Sequence, residues 1–348
     1  MKRKTKNKKN KKLPILVVLG GVCLLVVVCV LWMFCWQRLD LTEAERVFIP
    51  TNSTYQAVVD TLDAHHCIAN KAAFGVVARL RGYPRHVKGG SYLIQPRMGV
   101  IAVVSKLNSG NQDPVKITIN RHRTKLSLCK YLAGILEFET DSLLSLLNCD
   151  SVCGHYGLDT NTIISLFCQN TYEVYWNVSP RRLLDRMQTE SNRFWNSRRL
   201  AQCAELNLSP DEIVTLASIV DEETNNNAEK PLIASVYLNR LKKGMLLQAD
   251  PTLKYSVGDF TLRRLTAVQM RFDSPYNTYI YKGLPPGPIC IPSVVSIDAV
   301  LENKKSDYLY FCAKEDFSGS HNFAATLAEH QRNAARFHQA LNRRNIFK

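Results

Sequence analysis

From Leu13 to Trp36 the chain runs for 24 residues without a charged side chain, rich in valine and leucine, and no other stretch restricts its fold so strongly. As a helix the segment is about 36 Å long, enough to cross a hydrocarbon core of roughly 30 Å with some tilt. The competing reading is a cleaved signal peptide, whose apolar core is about 7–15 residues and ends in small residues. Here the run is longer and ends Trp32-Met33-Phe34-Cys35-Trp36, large aromatics of the kind that anchor a span at the membrane interface. An uncleaved single-pass helix over 13–36 is therefore expected. The lysine-rich residues 1–12 before it orient the helix by the positive-inside rule, with this tail cytoplasmic and everything after about Gln37 exported. The expected location is the plasma (inner) membrane, with the bulk of the chain on its periplasmic, extracytoplasmic side.

The formal charge of +15 on 348 residues invites a nucleic-acid reading, but its distribution argues against one. Eight of the basic residues fall within the first twelve positions, leaving 37 basic against 30 acidic residues elsewhere, with no long basic run. A tail is not the folded basic face that reads a phosphate backbone, so no nucleic-acid partner is expected. Of the eleven cysteines, Cys23, Cys29 and Cys35 lie in the apolar segment, where a thiol acts as a small hydrophobe. The other eight are irregularly spaced, without a CxxC pair. Cys149 and Cys153 are close enough either to close a disulfide or to mean nothing. An exported part this large does not need a disulfide framework, and mostly buried free thiols are expected.

Beyond the anchor, residues 37–119 read as a compact α/β unit. Thr51-Asn52-Ser53 offers N-cap chemistry, with Tyr55, Val58, Val59 and Leu62 following at helical spacing. A second helix is expected over 70–81 and a third over 100–107. Short strands are expected at 91–94 and at Val115, Ile117 and Ile119, the last closing the unit. Residues 120–348 are richer in helices. Short helices are expected over 127–136 and 141–147, a longer one over 180–195, and an amphipathic one from about Ala324 to the C-terminus. Between them, Ser209-Pro210 is a cap followed by proline in the first turn. Ile213, Val214, Leu216, Ala217, Ile219 and Val220 then make a helix apolar on more than one side, hence central and buried. A further helix runs from about Ala228 to Lys243 and stops at Gly244.

Several constellations are absent: a GxSxG elbow, a phosphate-cradling GxxxxGK or GxGxxG, and an HExxH zinc helix. His321 and His330 stand alone and read as hydrogen-bonding or solvated side chains, and no metal or organic cofactor is implied. What remains is Asp221-Glu222-Glu223-Thr224, three carboxylates at the end of the buried helix. Apolar neighbours, like charges and the negative end of the helix dipole all act to raise a carboxyl pKa, as a general acid near neutral pH requires. A solvated helix end is the plainer alternative. Gln248 and Asp250 lie in the turn-prone stretch 244–252, and Tyr276, Asn277, Thr278 and Tyr279 precede a proline-rich segment, 283–288. These two stretches are either the walls of a sugar-binding cleft or turns packed on the core.

Together these residues closely resemble the YceG-like family of endolytic murein transglycosylases. The most specific stretches are Leu216 to Thr224, Asn239-Arg240-Leu241 with Gly244 to Thr252, Ser274 to Pro288, and Tyr308-Leu309-Tyr310-Phe311 leading to His321-Asn322-Phe323. The resemblance implies an α+β chain: an N-terminal transmembrane helix, a LysM-like α/β subdomain, then a mixed helix-rich catalytic domain. It places the essential glutamate directly before the threonine of the acidic cluster, at Glu223. Asn170, Tyr172, Gln248, Asp250, Tyr276, Asn277, Thr278 and Tyr279 are the implied substrate contacts, with Asp221, Pro285 and Gly287 in support. The chain departs from the family pattern at Asp221, commonly glutamate, and at Gln169, commonly proline.

The implied reaction cleaves the bond between N-acetylmuramic acid and N-acetylglucosamine in nascent peptidoglycan strands and leaves a 1,6-anhydro end, with Glu223 first acid and then base. One carboxyl group suffices because the nucleophile, the muramic acid 6-hydroxyl, belongs to the substrate. A hydrolase needs a second carboxylate about 5–9.5 Å away, a role open to Asp250 but not to Asp221 on the same helix end. A non-catalytic glycan-binding scaffold is the alternative from another class. The implied partners are glycan strands, the membrane and peptidoglycan synthases.

Overall fold

The computed structural model describes residues 12–35, 39, 41–262 and 266–344. The chain divides into two units, Met1–Val115 with Tyr175–Asn177, and Lys116–Val174 with Val178–Lys348. Helix α1 covers Lys12–Cys35. Side chains within it are described only at 17–29 and at Trp32, where apolar residues such as Val17, Leu24 and Trp32 are exposed. Among the described residues no helix is long and apolar enough to cross a membrane. Residues 1–11 of the basic tail and Trp36, expected as an interface anchor, lie outside the described residues.

In the first unit β1 (Glu45–Ile49) is followed by α2 (Tyr55–Ala64), α3 (Lys71–Leu80), β2 (Gly90–Ile94) and α4 (Val100–Ser109). The two strands pair antiparallel, Glu45 opposite Ile94 and Ile49 opposite Gly90. Thr54, one residue beyond the expected polar triplet, caps α2 by accepting from the Ala57 amide at 3.2 Å, and Asn70 caps α3 at 3.0 Å. The triplet itself makes the turn before the helix: Asn52 has φ +64° and the Ser53 hydroxyl donates to the Pro50 carbonyl. Val47, Ile49, Phe74, Tyr83, Tyr92 and Leu107 are among the side chains of its core.

The second unit begins with β3 (Val115–Ile119), α5 (Lys125–Ala133), α6 (Thr140–Leu147), α7 (Asp150–His155), β4 (Asn170–Val174), α8 (Pro180–Phe194) and α9 (Ser197–Leu206). The alternation of β3 was expected to close the first unit. Its partner is instead β4, so the strand's apolar face is spent in the second unit, and the boundary falls at 115 rather than 119. After α9 come α10 (Pro210–Glu223), α11 (Lys230–Lys242), α12 (Asp250–Val257), α13 (Ala267–Met270), α14 (Val294–Leu301), a hairpin of β5 (Tyr310–Ala313) and β6 (His321–Ala324), and α15 (Leu327–Arg343). The whole is a mixed, helix-rich α+β arrangement with small two-stranded sheets.

Helix α10 is the centre of this unit, packed against α9, α11, α12 and α14. Ser209 and Glu212 form a reciprocal capping box at its start, worth about 1 kcal/mol. All nine residues from Ile213 to Asp221 are buried. At its end Asp221 is 1% exposed and joins three helices. Its carboxylate lies 2.9 Å from Lys230 of α11 and 2.9 Å from Arg121, and accepts from Ser293 and Ser296 at the start of α14. Burial alone would push this carboxyl up, but Lys230, the two serines and Arg121 outweigh it and hold the group below the usual carboxylate range. Lys230 is itself buried, so removing its partner leaves an uncompensated charge. Asp221→Ala is expected to destabilise the protein by about 3–5 kcal/mol in urea unfolding.

Candidate active site

The three carboxylates at the end of α10 point to three different partners. Asp221 faces inward, as described. Glu222 accepts three bonds from the Arg123 guanidinium, Nε–Oε1 at 3.0 Å, Nε–Oε2 at 3.1 Å and Nη2–Oε2 at 2.7 Å. Glu223, by contrast, has no ion pair among the described residues and opens on a cleft of about 320 Å³. Tyr237, Arg240, Gln248, Asp250, Tyr279 and His330 are among the side chains that line this cleft with it.

Glu223 is held by one strong bond: the buried Tyr237 hydroxyl of α11 donates to Oε1 at 2.6 Å. Burial pushes the Glu223 carboxyl up to about 7, against the lowering effect of Tyr237 and, more weakly, Lys254; the charges of Asp250 and Glu222 add to the rise. Tyr237 packs edge-on against Phe311 of β5, centroids 5.9 Å apart, which fixes its ring. Arg240, one turn further along α11, donates to the carbonyls of Leu309 at 2.7 Å and Leu247 at 2.8 Å. It thereby ties the approach to β5 and the 246–250 loop to one helix.

That loop carries Gln248 and Asp250. It starts at Gly244, whose φ of +63° lets the chain reverse just past the end of α11. Gln248 also adopts a left-handed conformation, φ +51°, without being glycine, and its amide donates to the Thr278 carbonyl at 3.0 Å. Backbone strain of this sort persists only where the surroundings enforce it. Asp250 sits in the first turn of α12 and accepts from the Tyr279 hydroxyl. The Thr278 hydroxyl accepts from the Ala249 amide at 3.0 Å and lies 2.8 Å from the Thr252 hydroxyl. Thr278 thus fastens the cleft wall from behind rather than facing the cleft.

The expected site residues accordingly separate. Glu223, Gln248, Asp250 and Tyr279 come together in the cleft. Asn277 is fully buried and donates to the carbonyls of Met270 and Phe272 while accepting from the Tyr279 amide, so it builds the turn. Tyr276 packs on Tyr255 at 4.7 Å beside the core. Tyr172 is 5% exposed and donates to the Cys168 carbonyl, a core side chain rather than a cleft one. Asn170 is exposed on β4, where it accepts from the Thr171 amide, and it does not line the cleft. Asp221 supports the helix rather than the cleft. The glutamine where the family has proline, Gln169, uses its side chain to donate to the Ile291 carbonyl at 2.7 Å, a bond proline cannot make.

Pro285 and Gly287 belong to a buried segment laid against α10, where the Ile289 amide donates to the Ser218 hydroxyl at 3.0 Å. A Cβ on Gly287 would lie 2.4 Å from the Asn161 carbonyl oxygen, so only glycine fits. Tyr237, Arg240, Phe311 and His330 were not singled out from sequence as cleft residues. His330 stacks on Tyr310 at 5.3 Å, and burial, with the nearby Arg240, lowers its pKa. His321 lies 2.9 Å from Glu229. The cysteines described are free, and those outside α1 are buried or half-buried, Cys149 and Cys153 included. No cluster able to hold a metal is present among the described residues.

A model of the family described as YceG-like matches residues 47–336. A Bacillus subtilis protein named endolytic murein transglycosylase is 28% identical over 309 residues, 84% of each chain. A protein of the same name from Streptococcus pneumoniae is 26% identical over 83% of this chain but only 57% of its own length, so the chain spans little more than half of that relative. A crystal structure of a YceG-like protein from Listeria monocytogenes superposes with a TM-score of 0.55 at 27% identity, covering 84% of this chain and 99% of that one.

Two measurements follow from the site. Gly287→Ala should cost about 1–3 kcal/mol, read as a lowered thermal midpoint, because backbone rather than a flexible side chain must give way. Glu223 binds its proton more tightly folded than unfolded, so wild-type stability falls as pH rises from about 4.5 through about 7. Glu223→Gln removes that dependence. The variant should match wild type in slope below pH 4.5 and gain on it across this window in urea titrations.

Proposed function

The chain belongs to the YceG-like family, and on that premise we propose that it is an endolytic lytic transglycosylase of peptidoglycan, with Glu223 as its acid and base. The observation that carries this reading is a single carboxyl group, without an ion pair among the described residues, whose pKa is pushed up to about 7 by burial in a polar cleft. Such a group is protonated often enough to donate and ionised readily enough to accept near neutral pH. Glu223 donates its proton to the glycosidic oxygen between N-acetylmuramic acid and N-acetylglucosamine. The bond breaks through an oxocarbenium-like state. The resulting carboxylate takes the proton of the muramic acid 6-hydroxyl as that oxygen attacks the anomeric carbon and closes the 1,6-anhydro ring. Tyr237 orients the carboxyl; Gln248, Asp250 and Tyr279 are the polar wall against which the sugars lie.

Residues 13–36 are proposed as a single-pass anchor in the plasma membrane, with the tail cytoplasmic and the enzyme outside. That placement sets the cleft to work on nascent strands near the synthases that make them. The first unit, two helices between paired strands, is proposed as a LysM-like subdomain that holds the strand. A true muramidase is the second reading, favoured by one observation: Asp250 lines the same cleft as Glu223. The two reactions differ in their ends, anhydro against reducing.

Purified peptidoglycan digested by the protein and analysed by mass spectrometry should yield anhydromuramyl products, and turnover should fall through about pH 7 as the acid ionises. Glu223→Gln should lose about 10²–10⁴-fold in rate with its unfolding curve intact. Reducing ends would assign the hydrolase instead, and undiminished function in Glu223→Gln would leave a glycan-binding scaffold.

A further inference from the structure

The turn that places Tyr279 in the cleft also holds apolar side chains out in solvent. Val268 is 82% exposed, Phe272 45%, Ile280 44% and Tyr281 45%, with Met270 at 37%. Helix α13 buries none of its residues, so no core packing explains its apolar sequence. The segment is nonetheless pinned. The fully buried Asn277 side chain donates to the carbonyls of Met270 and Phe272 at 3.1 and 2.8 Å, and the Tyr281 hydroxyl donates to Asp273 at 2.7 Å. These bonds bring 268–273 and 280–281 together as one apolar lip beside the cleft. Scattered exposed hydrophobes need no explanation, but a held cluster marks a contact surface.

Charge decides which contact. Arg271 and Lys282 flank the lip, and both are exposed. Across 258–283 the sequence has four basic residues, Arg263, Arg264, Arg271 and Lys282, against Asp259 and Asp273. Arg263 and Arg264 lie outside the described residues and count here by charge alone. Asp273 and Asp259 are engaged locally, by Tyr281 and Thr261. An apolar centre with tyrosine and a basic rim matches the interface of an anionic bilayer: ring and aliphatic groups enter the headgroup boundary and the cations meet the phosphates.

We propose that this lip, residues 268–273 with 280–281, docks on the surface of an anionic lipid bilayer. The inference rests on the anchored, outward-facing reading above. It adds that the cleft rim itself lies at headgroup level, where a lipid-linked strand leaves the membrane.

The test uses the full chain carrying Phe272→Trp, reconstituted into vesicles of phosphatidylcholine with phosphatidylglycerol whose acyl chains are brominated. The unsubstituted chain is its reference. In the reference, the part of the emission that the brominated chains quench comes from Trp32 and Trp36 and reports the anchor, over the background of Trp176 and Trp195. The emission added by Phe272→Trp reports the lip and should be roughly halved by the brominated chains. Adding Val268→Asp and Ile280→Asp should restore it. In pure phosphatidylcholine, or at salt well above physiological, the quenching should weaken. Added emission that stays unquenched while the reference is quenched overturns the proposal and leaves the lip to a protein surface. A reference that is also unquenched removes the anchor reading with it. Equal quenching without phosphatidylglycerol overturns the anionic specificity.

Discussion

Three consecutive carboxylates at the end of a helix whose middle is fully buried are an electrostatic problem, and much of the second unit is its solution. A buried charge is tolerated only when paired and hydrogen-bonded. Asp221 meets that condition with a lysine from α11, an arginine from the chain after β3 and two serines from the start of α14. Glu222 meets it with Arg123. Satisfying these two acids fixes α11 and α14 against α10 and brings residues 121–123 to its end. The position of α11 then determines where Tyr237 and Arg240 stand. Glu223, the third acid, is left with a phenol and a cleft.

That division alters the account of its pKa. Read from sequence, the rise has three allied causes: apolar neighbours, adjacent like charges and the helix dipole. In the structure the neighbouring acids are largely neutralised, and Glu222 is a minor contributor behind Asp250. Burial is the leading cause, and Tyr237 opposes it. A phenol donating to a carboxylate favours the ionised form, so the value of about 7 is a balance between desolvation and one hydrogen bond rather than a sum of repulsions.

How much of this could be read beforehand depended on range. Helix α10 was legible because its signals are local: serine, proline and Glu212 at its start, apolar residues on every side, a polar stop. Glu223 could be singled out only through the motif around it, and the structure sets it on the cleft. The cleft wall was half legible. Gln248, Asp250 and Tyr279 face inward as expected, whereas Asn277, Thr278 and Tyr276 are spent on holding the turn, since an asparagine that binds two carbonyls and one that binds a sugar look alike in sequence. Tyr237 and His330 were out of reach. Tyr237 lies mid-helix, just outside the Asn239-Arg240-Leu241 stretch, and His330 reaches the cleft only because α15 packs on β5 and β6. Strand β3 misled for a related reason: its alternation states which face is buried but not which strand will cover it, and the partner lies some fifty residues on.

The same geometry bears on why one carboxylate would be enough. A water-activating base needs an oxygen free to take a proton from the side of the sugar opposite the acid. Asp250 commits Oδ1 to the Tyr279 hydroxyl, and its negative charge falls at the N-terminal turn of α12, where the backbone dipoles complement it. Both features tie the side chain to its own wall of the cleft rather than leave it turned to a water. A carboxylate in the same cleft suits two other tasks: its charge helps hold the Glu223 proton before cleavage and complements the positive charge that grows on the sugar ring during it. A substrate hydroxyl then completes the reaction without a second base, and the acid that gave the proton is the group left to take one back.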